Sequence, residues 1–314
     1  MQADSHPRVS ILIPSYNHAN FIEQTIRSVW EQCYPNLELV IVDDGSTDNS
    51  REVIGRLRAT SPIAMIVVEQ KNAGICRTLN RALEQSTGQI IGVLASDDMM
   101  LPDRLNQEVQ WFESEATLKV LYSNGLFQSE GVIFGDAHKL IKPYLKRGIV
   151  AMRDHLLSTA PGFYIQAMLI KRDFLLNIGG FDEGTGSDDW SLNIRIFNTL
   201  NFRNEFIFID RNAFLYRVHE TQMHKSAEFM SPMKRKVVRK YFPLENRSKF
   251  ICQNYVKRAM ALFFQSRFRL ASRYITKASY IGFKNGIPIL CLMRYGFEFP
   301  GYAYREFIRR LKAK

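Results

Sequence analysis

Three apolar runs before residue 100 each stop at a polar cluster, and this constrains the fold more than any other feature of the chain. Val9 to Ile13 (VSILI) leads into Pro14-Ser15-Tyr16. Leu37 to Val42 (LELVIV) leads into Asp43-Asp44-Gly45-Ser46, and Gln89 to Leu94 (QIIGVL) into Ser96-Asp97-Asp98. Runs this apolar and this rich in β-branched residues read as parallel strands buried on both faces. Between the first two, Phe21, Ile22, Thr25, Ile26, Val29 and Trp30 recur at helical spacing, so residues 1–44 make one β-α-β unit with a right-handed crossover. A helix over Ser50 to Arg58 capped by Ser46 or Asp48, a strand over Met65 to Val68 and a helix over Ile75 to Gln85 continue the alternation. The pattern predicts an α/β fold with a doubly wound, mostly parallel sheet. Ligands of such sheets bind outside the carboxyl ends of the strands, where all three polar clusters fall.

Farther along, the spacing predicts a helix from Pro102 to about Glu115, strands at Val120 to Ser123, Tyr164 to Ile170 and Phe206 to Ile209, and a short helix from Lys171 to Ile178 closed by Gly179-Gly180. Residues 124–161 show no regular pattern. Asp188-Asp189-Trp190 opens a helix over Ser191 to Leu200. From about Ser231 onward only amphipathic helical pattern remains, and Ala261, Ala271 and Ala278 among Phe263, Phe264, Phe268 and Tyr274 suggest a helical hairpin. The expected division is a sheet-bearing part over 1–230 and a helical extension over 231–314.

Charge divides the chain at the same place. Residues 232–314 hold 20 of the 42 Lys and Arg but only three of the 31 Asp and Glu, so this segment carries +17 and residues 1–231 carry −6. An acidic front part suits a divalent metal, and a basic tail suits an anionic surface. Lys234-Arg235-Lys236, Arg239-Lys240 and the segment from Arg305 to Lys314, interleaved with Phe, Tyr, Ile and Leu, are read as a docking face for an anionic membrane, with a solvated helical face as the plainer reading. A nucleic-acid binder is disfavoured, because no helix-turn-helix, RNP or zinc-finger pattern is present and the acidic part would repel phosphates. A dinucleotide-dependent oxidoreductase is disfavoured too, because the first turn reads PSYNHANF and lacks G-x-G-x-x-G. Cys33, Cys76, Cys252 and Cys291 are scattered without metal or disulfide spacing. With a polar start and no apolar run of spanning length, the expected location is the cytoplasm, peripheral on the inner face of the plasma membrane.

Asp97-Asp98 at a strand end can hold Mg²⁺ or Mn²⁺ against a diphosphate, since hard oxygen ligands suit hard cations; the same residues also fit a helix N-cap before Leu101-Pro102. Asp43-Asp44-Gly45-Ser46 is equally an acidic turn. Their joint order is more telling. VSILIPSYN (Val9 to Asn17), IVDDGSTDNS (Ile41 to Ser50), Asn72-Ala73-Gly74, GQIIGVLASDDMMLP (Gly88 to Pro102) and GGFDEGTGSDDW (Gly179 to Trp190) together resemble the inverting nucleotide-sugar glycosyltransferases of family 2, over roughly residues 8–220.

The resemblance implies a GT-A fold followed by an α-helical C-terminal extension, a UDP-sugar donor, Mn²⁺ or Mg²⁺ as cofactor, and a glycan or lipid-diphosphate-linked acceptor in surface polysaccharide assembly. It implies that Pro14, Ser15 and Tyr16 pack on the nucleobase, that Asp43 and Asp44 meet base and ribose, and that Asn72, Gly74 and Asn80 lie beside the donor. Asp97 and Asp98 match the metal motif, with Asp98 the direct ligand, and His219 in Tyr216-Arg217-Val218-His219 binds metal or diphosphate or is structural. Asp189 matches the catalytic base; Asp188 beside it raises the proton affinity of the pair by like-charge repulsion, and the adjoining Trp190 offers a flat apolar face for a sugar ring. Arg77, Arg217, His224 and Lys225 are candidate partners for the leaving diphosphate. Ala95 stands where the fuller family pattern has another Asp, which keeps a catalytically inactive scaffold as the alternative.

Overall fold

The structure, a computed structural model, describes residues 6–158, 163–219, 227–264 and 268–284. Strand β1 (Val9–Ser15), helix α1 (Ile22–Trp30), β2 (Leu37–Asp43), α2 (Ser50–Ala59), β3 (Ala64–Glu69), α3 (Ile75–Gln85) and β4 (Ile90–Val93) alternate as the apolar pattern predicts. Every residue of β1, β2 and β4 is buried, as expected of strands covered on both faces. β3, β2, β1 and β4 pair in parallel, with Ile11 level with Leu39 on one side and Gly92 on the other. Val9, Ile11, Ile13, Leu39 and Ile41 meet Ile22, Ile26 and Val29 of α1 and Ile54 and Leu57 of α2 in one core cluster. Each such fully buried side chain contributes about 1.5–3 kcal/mol.

The second half of the sheet departs from the expectation. β5 (Met99–Met100), α4 (Arg104–Ser114), β6 (Val120–Ser129), β7 (Val132–Asp136), α5 (Lys142–Arg147), α6 (Ile149–Leu156), β8 (Met168–Lys171), α7 (Arg172–Asn177), α8 (Trp190–Thr199) and β9 (Phe206–Arg217) follow in order. The sheet runs β3-β2-β1-β4-β8-β6-β9-β5, with β7 beside β6. β8 lies antiparallel to both β4 and β6, and β5 antiparallel to β9, so the sheet is mixed, with the parallel ladders of β3-β2-β1-β4 and of β6-β9 joined through β8. An apolar run carries no mark of its direction, and Tyr164 to Ile170 also hides a one-turn helix at Ile165–Ala167 before β8 begins. Because β6 and β9 are parallel to each other and share the direction of β4, the carboxyl ends of β1, β2, β4 and β9 open on one edge.

β6 and β9 slip register around Asn124 and Gly125. There the ring of Phe214 occupies the place of a side chain at position 125: a Cβ would lie 2.3 Å from it. Gly125→Ala is expected to cost about 1–3 kcal/mol through overpacking, read as a fall in Tm of roughly 2–4 °C per kcal/mol in thermal denaturation.

By packing, the chain divides within α9 (Ala227–Tyr241), between Lys234 and Arg235. The second unit contains the hairpin of α10 (Leu244–Phe264) and α11 (Phe268–Lys284), longer at both ends than the alanine pattern suggested. Cys252 and Val256 pack on Ala278, flanked by Tyr255 and Ile281. Among the described residues no helix is long and apolar enough to cross a membrane.

Candidate active site

The loops at the strand ends are tied to one another before they can meet any ligand. After β1, the backbone N–H groups of Asn17, His18 and Ala19 donate to Ser46 Oγ, Ser50 Oγ and Asp48 Oδ2, and Asn17 Oδ1 accepts from the Thr47 N–H. The Asp43 carboxylate accepts from the Ser46 N–H and hydroxyl and from Arg51 Nε. That of Asp44 accepts from the Ala73 and Gly74 N–H groups and the Gln70 amide. Both carboxylates are buried and tie the loops around them. Pro14 and Ser15 are buried, whereas Tyr16, Asn72 and Gly74 are exposed.

The second cluster forms where β9 reaches the turn after β4. Asp97 Oδ2 lies 3.0 Å from His219 Nε2 and 3.8 Å from His18 Nε2, and the ligand atoms of these three residues lie within 4.8 Å of one another. His18 Nδ1 is 2.7 Å from Ser96 Oγ, and the His219 ring stacks on Phe21 at 4.4 Å. Burial alone would raise the Asp97 carboxyl, but the His219 hydrogen bond and the His18 and His219 charges hold it below its ordinary value. Burial lowers His18, which keeps its imidazole a better ligand than a cation.

Asp98, the expected direct metal ligand, is not in that set. Its Oδ1 accepts from the Arg217 N–H and its Oδ2 from the Gln166 amide, and burial, with the Asp97 charge, pushes it well above the usual carboxylate range. Arg217 is held by many protein partners. Its guanidinium donates to the carbonyls of Asp97, Phe21 and Asp98, to Gln24 Oε1 and to Thr25 Oγ1, and sits 5.1 Å over the Phe21 ring. Donors used in this way hold α1, the turn after β4 and β9 together. Two imidazole nitrogens and one carboxylate oxygen fit a borderline dication such as Mn²⁺ better than Mg²⁺, and leave coordination positions for a ligand. His18 escaped the sequence analysis because a lone His in a loop has no spacing to betray it; only its place just past a strand end was a signal.

The third cluster is at the start of α8. Asp189 caps the helix: Oδ1 accepts from the Trp190 N–H at 2.5 Å and from Ser187 Oγ at 3.3 Å. Both of these hydrogen bonds fall on Oδ1, and the carboxylate also accepts from its own backbone N–H. Burial raises the Asp189 carboxyl, partly countered by the Trp190 N–H, the Ser187 hydroxyl and the Lys234 charge. Burial and then the Asp189 charge push Asp188 up to about 7. Trp190, expected to offer a face to a sugar, is a core residue, 4% exposed and donating its indole N–H to the Leu156 carbonyl. Asn80 is structural too: it bonds both the N–H and carbonyl of Phe181 and reaches Glu183. Arg77 is an exposed side chain 3.8 Å from Glu183. His224 and Lys225 lie outside the described residues.

Because folding raises Asp188, the folded chain binds this proton more tightly than the unfolded one. The stability it confers is complete below the ordinary carboxylate pKa and is lost as pH rises through about 7. Asp188→Asn is therefore expected to raise Tm at pH 8 by several degrees, on the order of a few kcal/mol, with little change at pH 4. Thermal melts of both proteins at the two pH values check this.

Two tyrosines that the sequence left unassigned join the clusters. The rings of Tyr164 and Tyr216 lie 4.8 Å apart. Burial, then the charges of Asp189 and Asp98, push Tyr164 up to about 12; burial, Asp98 and Asp189 act on Tyr216 in the same direction. On the other side, Cys76 in the first turn of α3, two residues from the Gly74 N–H that holds Asp44, is raised by burial and by Asp188 and Asp189.

The model of the family described as Glycosyl transferase family 2 matches residues 10–179, more than half of the chain. The chain belongs to that family. It is 40% identical over 124 residues to a chondroitin synthase of Pasteurella multocida, covering 38% of this chain and 13% of that one. It spans less than half the length of such curated relatives. Among solved structures, TarS of S. aureus in complex with UDP-GlcNAc superposes with a TM-score of 0.59 at 17% identity, over 77% of this chain and 71% of that chain. The mannosyltransferase PcManGT of Pyrobaculum calidifontis, in complex with GDP-Man and Mn²⁺, does so at 0.56 and 22%, over 88% and 74%. These likenesses show the fold, a mixed, curled α/β sheet of GT-A type with helices in the C-terminal part.

Proposed function

We propose that this family 2 member transfers a sugar, with inversion, from a UDP-sugar to a glycan or lipid-diphosphate-linked acceptor in surface polysaccharide biosynthesis. The observation that supports the reading is the cluster of His18, Asp97 and His219 at the strand ends, whose ligand atoms lie within 4.8 Å of one another in a member of this family. The nucleotide lies between Tyr16 and the Asn72–Gly74 loop, whose positions Asp43 and Asp44 fix. His18, Asp97 and His219 hold the dication; when bound, it supplies positive charge for the leaving diphosphate. Asp189 Oδ2 takes the proton of the acceptor hydroxyl as that oxygen attacks the anomeric carbon on the face opposite the diphosphate. The α8 N-terminus favours the ionised base while burial opposes it and raises its carboxyl above the ordinary value. A lipid-diphosphate-linked acceptor places the reaction at the inner face of the membrane. Thermal stabilisation by UDP with Mn²⁺, and none by NAD or RNA, is the supporting result; stabilisation by NAD or RNA but not by UDP overturns the reading.

A further inference from the structure

We propose that a row of aromatic rings crossing β9, β6 and β7 binds the sugar rings of the acceptor, an inference that rests on the transfer reading and makes that acceptor a carbohydrate chain. The row starts beside Asp98. Tyr216 precedes Arg217, whose N–H donates to Asp98 Oδ1, and Tyr164 stands two residues before Gln166, whose amide donates to Asp98 Oδ2. Their rings lie 4.8 Å apart, and Phe127, level with Tyr216 across the β6–β9 ladder, meets Tyr216 and Tyr164 edge-on at 5.6 and 5.8 Å. Phe134 of β7 comes next, 5.8 Å from Phe127 with the two rings within 15° of parallel. A bulge puts it there. Phe127 is level with Gly135 and Gln128 with Ile133, so Phe134 is the extra residue that the register skips. In an unbroken ladder it would stand opposite Gln128 and face the other side of the sheet; the bulge turns it onto Phe127.

Packing alone does not account for the row. Phe134 is 55% exposed, Phe127, Tyr164 and Tyr216 are only half-buried, and among the described residues no strand pairs with the outer side of β7. Sheet edges are normally blunted by charge or proline, and an apolar one that is kept open marks a surface with an occupant. A pyranose fits. Its C–H face packs on an aromatic face, while its hydroxyl edges stay in water or reach polar groups. A lipid surface would meet only the outermost ring, whereas a chain of sugars can follow the recessed rings inward from Phe134 past Phe127 to the two phenols beside the residues that hold Asp98.

The test is binding of the full chain to an array of tagged hexose and N-acetylhexosamine disaccharides and tetrasaccharides, with UDP and Mn²⁺ present. The native chain is expected to hold at least one tetrasaccharide more tightly than the matching disaccharide. Phe134→Ala should weaken that tetrasaccharide by about tenfold and remove most of its advantage over the disaccharide. Phe134→Leu, which keeps apolar bulk without a flat face, should behave like the alanine variant, and Phe134→Tyr should restore binding. No glycan bound by the native chain, equal binding by the native chain and Phe134→Ala, or a native dimer that Phe134→Ala dissociates overturns the proposal. Because Phe134 is exposed, an unchanged Tm of each variant separates loss of binding from misfolding. The transfer reading fails by a different result, the absence of thermal stabilisation by UDP with Mn²⁺, in which Phe134 has no part.

Discussion

Asp189→Asn is expected to lower kcat by about 10³-fold while leaving the donor KM within about twofold. The amide is nearly isosteric and can still accept from the Trp190 N–H and the Ser187 hydroxyl at Oδ1, so the start of α8 keeps its geometry. What it cannot do is take a proton at the second position. Steady-state kinetics with separately varied donor and acceptor measure the effect; a matching loss of donor affinity would place Asp189 in donor binding and leave the base unassigned. Asp188→Asn gives a milder companion result. Because the Asp189 charge raises Asp188, Asp188 is the member of the pair that keeps its proton as the base ionises, so a neutral amide there should leave the rising limb of the pH–rate profile little changed.

Arg217→Ala is expected to be the most destabilising single change in the site. The guanidinium ties the carbonyls of Phe21, Asp97 and Asp98 to Gln24 and Thr25, and its removal leaves several buried acceptors without donors beside an acid already raised by burial. A loss of about 3–5 kcal/mol follows from breaking a buried charged network, or roughly 10 °C in Tm. Mn²⁺ affinity should fall with it, because Asp97 is positioned through its own carbonyl. Arg217→Lys, which retains charge but not the planar fork, should recover only part of the stability. If Arg217→Ala melts like the native chain and loses only diphosphate affinity, the guanidinium is a substrate ligand after all.

Arg217 also shows where sequence reading stops. The apolar runs of β1, β2 and β4 declared themselves because burial on both faces leaves a composition, and the acidic clusters could be placed because each closes such a run. Direction leaves no composition, so the antiparallel entry of β8 between β4 and β6 was invisible, as was the β6–β7 hairpin within the stretch that seemed irregular. The same limit applies to side chains. Asp97 and Asp98 are neighbours in a turn, yet one faces two imidazoles and the other turns inward to Gln166 and the Arg217 backbone, a choice made by β9 from more than a hundred residues away. Trp190 follows an acidic pair in a pattern that suits a sugar face, but the helix it begins turns its indole toward α6. His18 acquires its meaning only once β9 brings His219 beside it.

The most direct measurement of the central claim, that these aspartates serve a single transfer site, is the anomeric configuration of the product formed from a panel of UDP-sugars with Mn²⁺. Metal-dependent UDP release with inversion is expected for one donor, so that an α-linked UDP-sugar gives a β-linked product, and that product is lost in Asp189→Asn. Retention of configuration, or full turnover by Asp189→Asn, would contradict it.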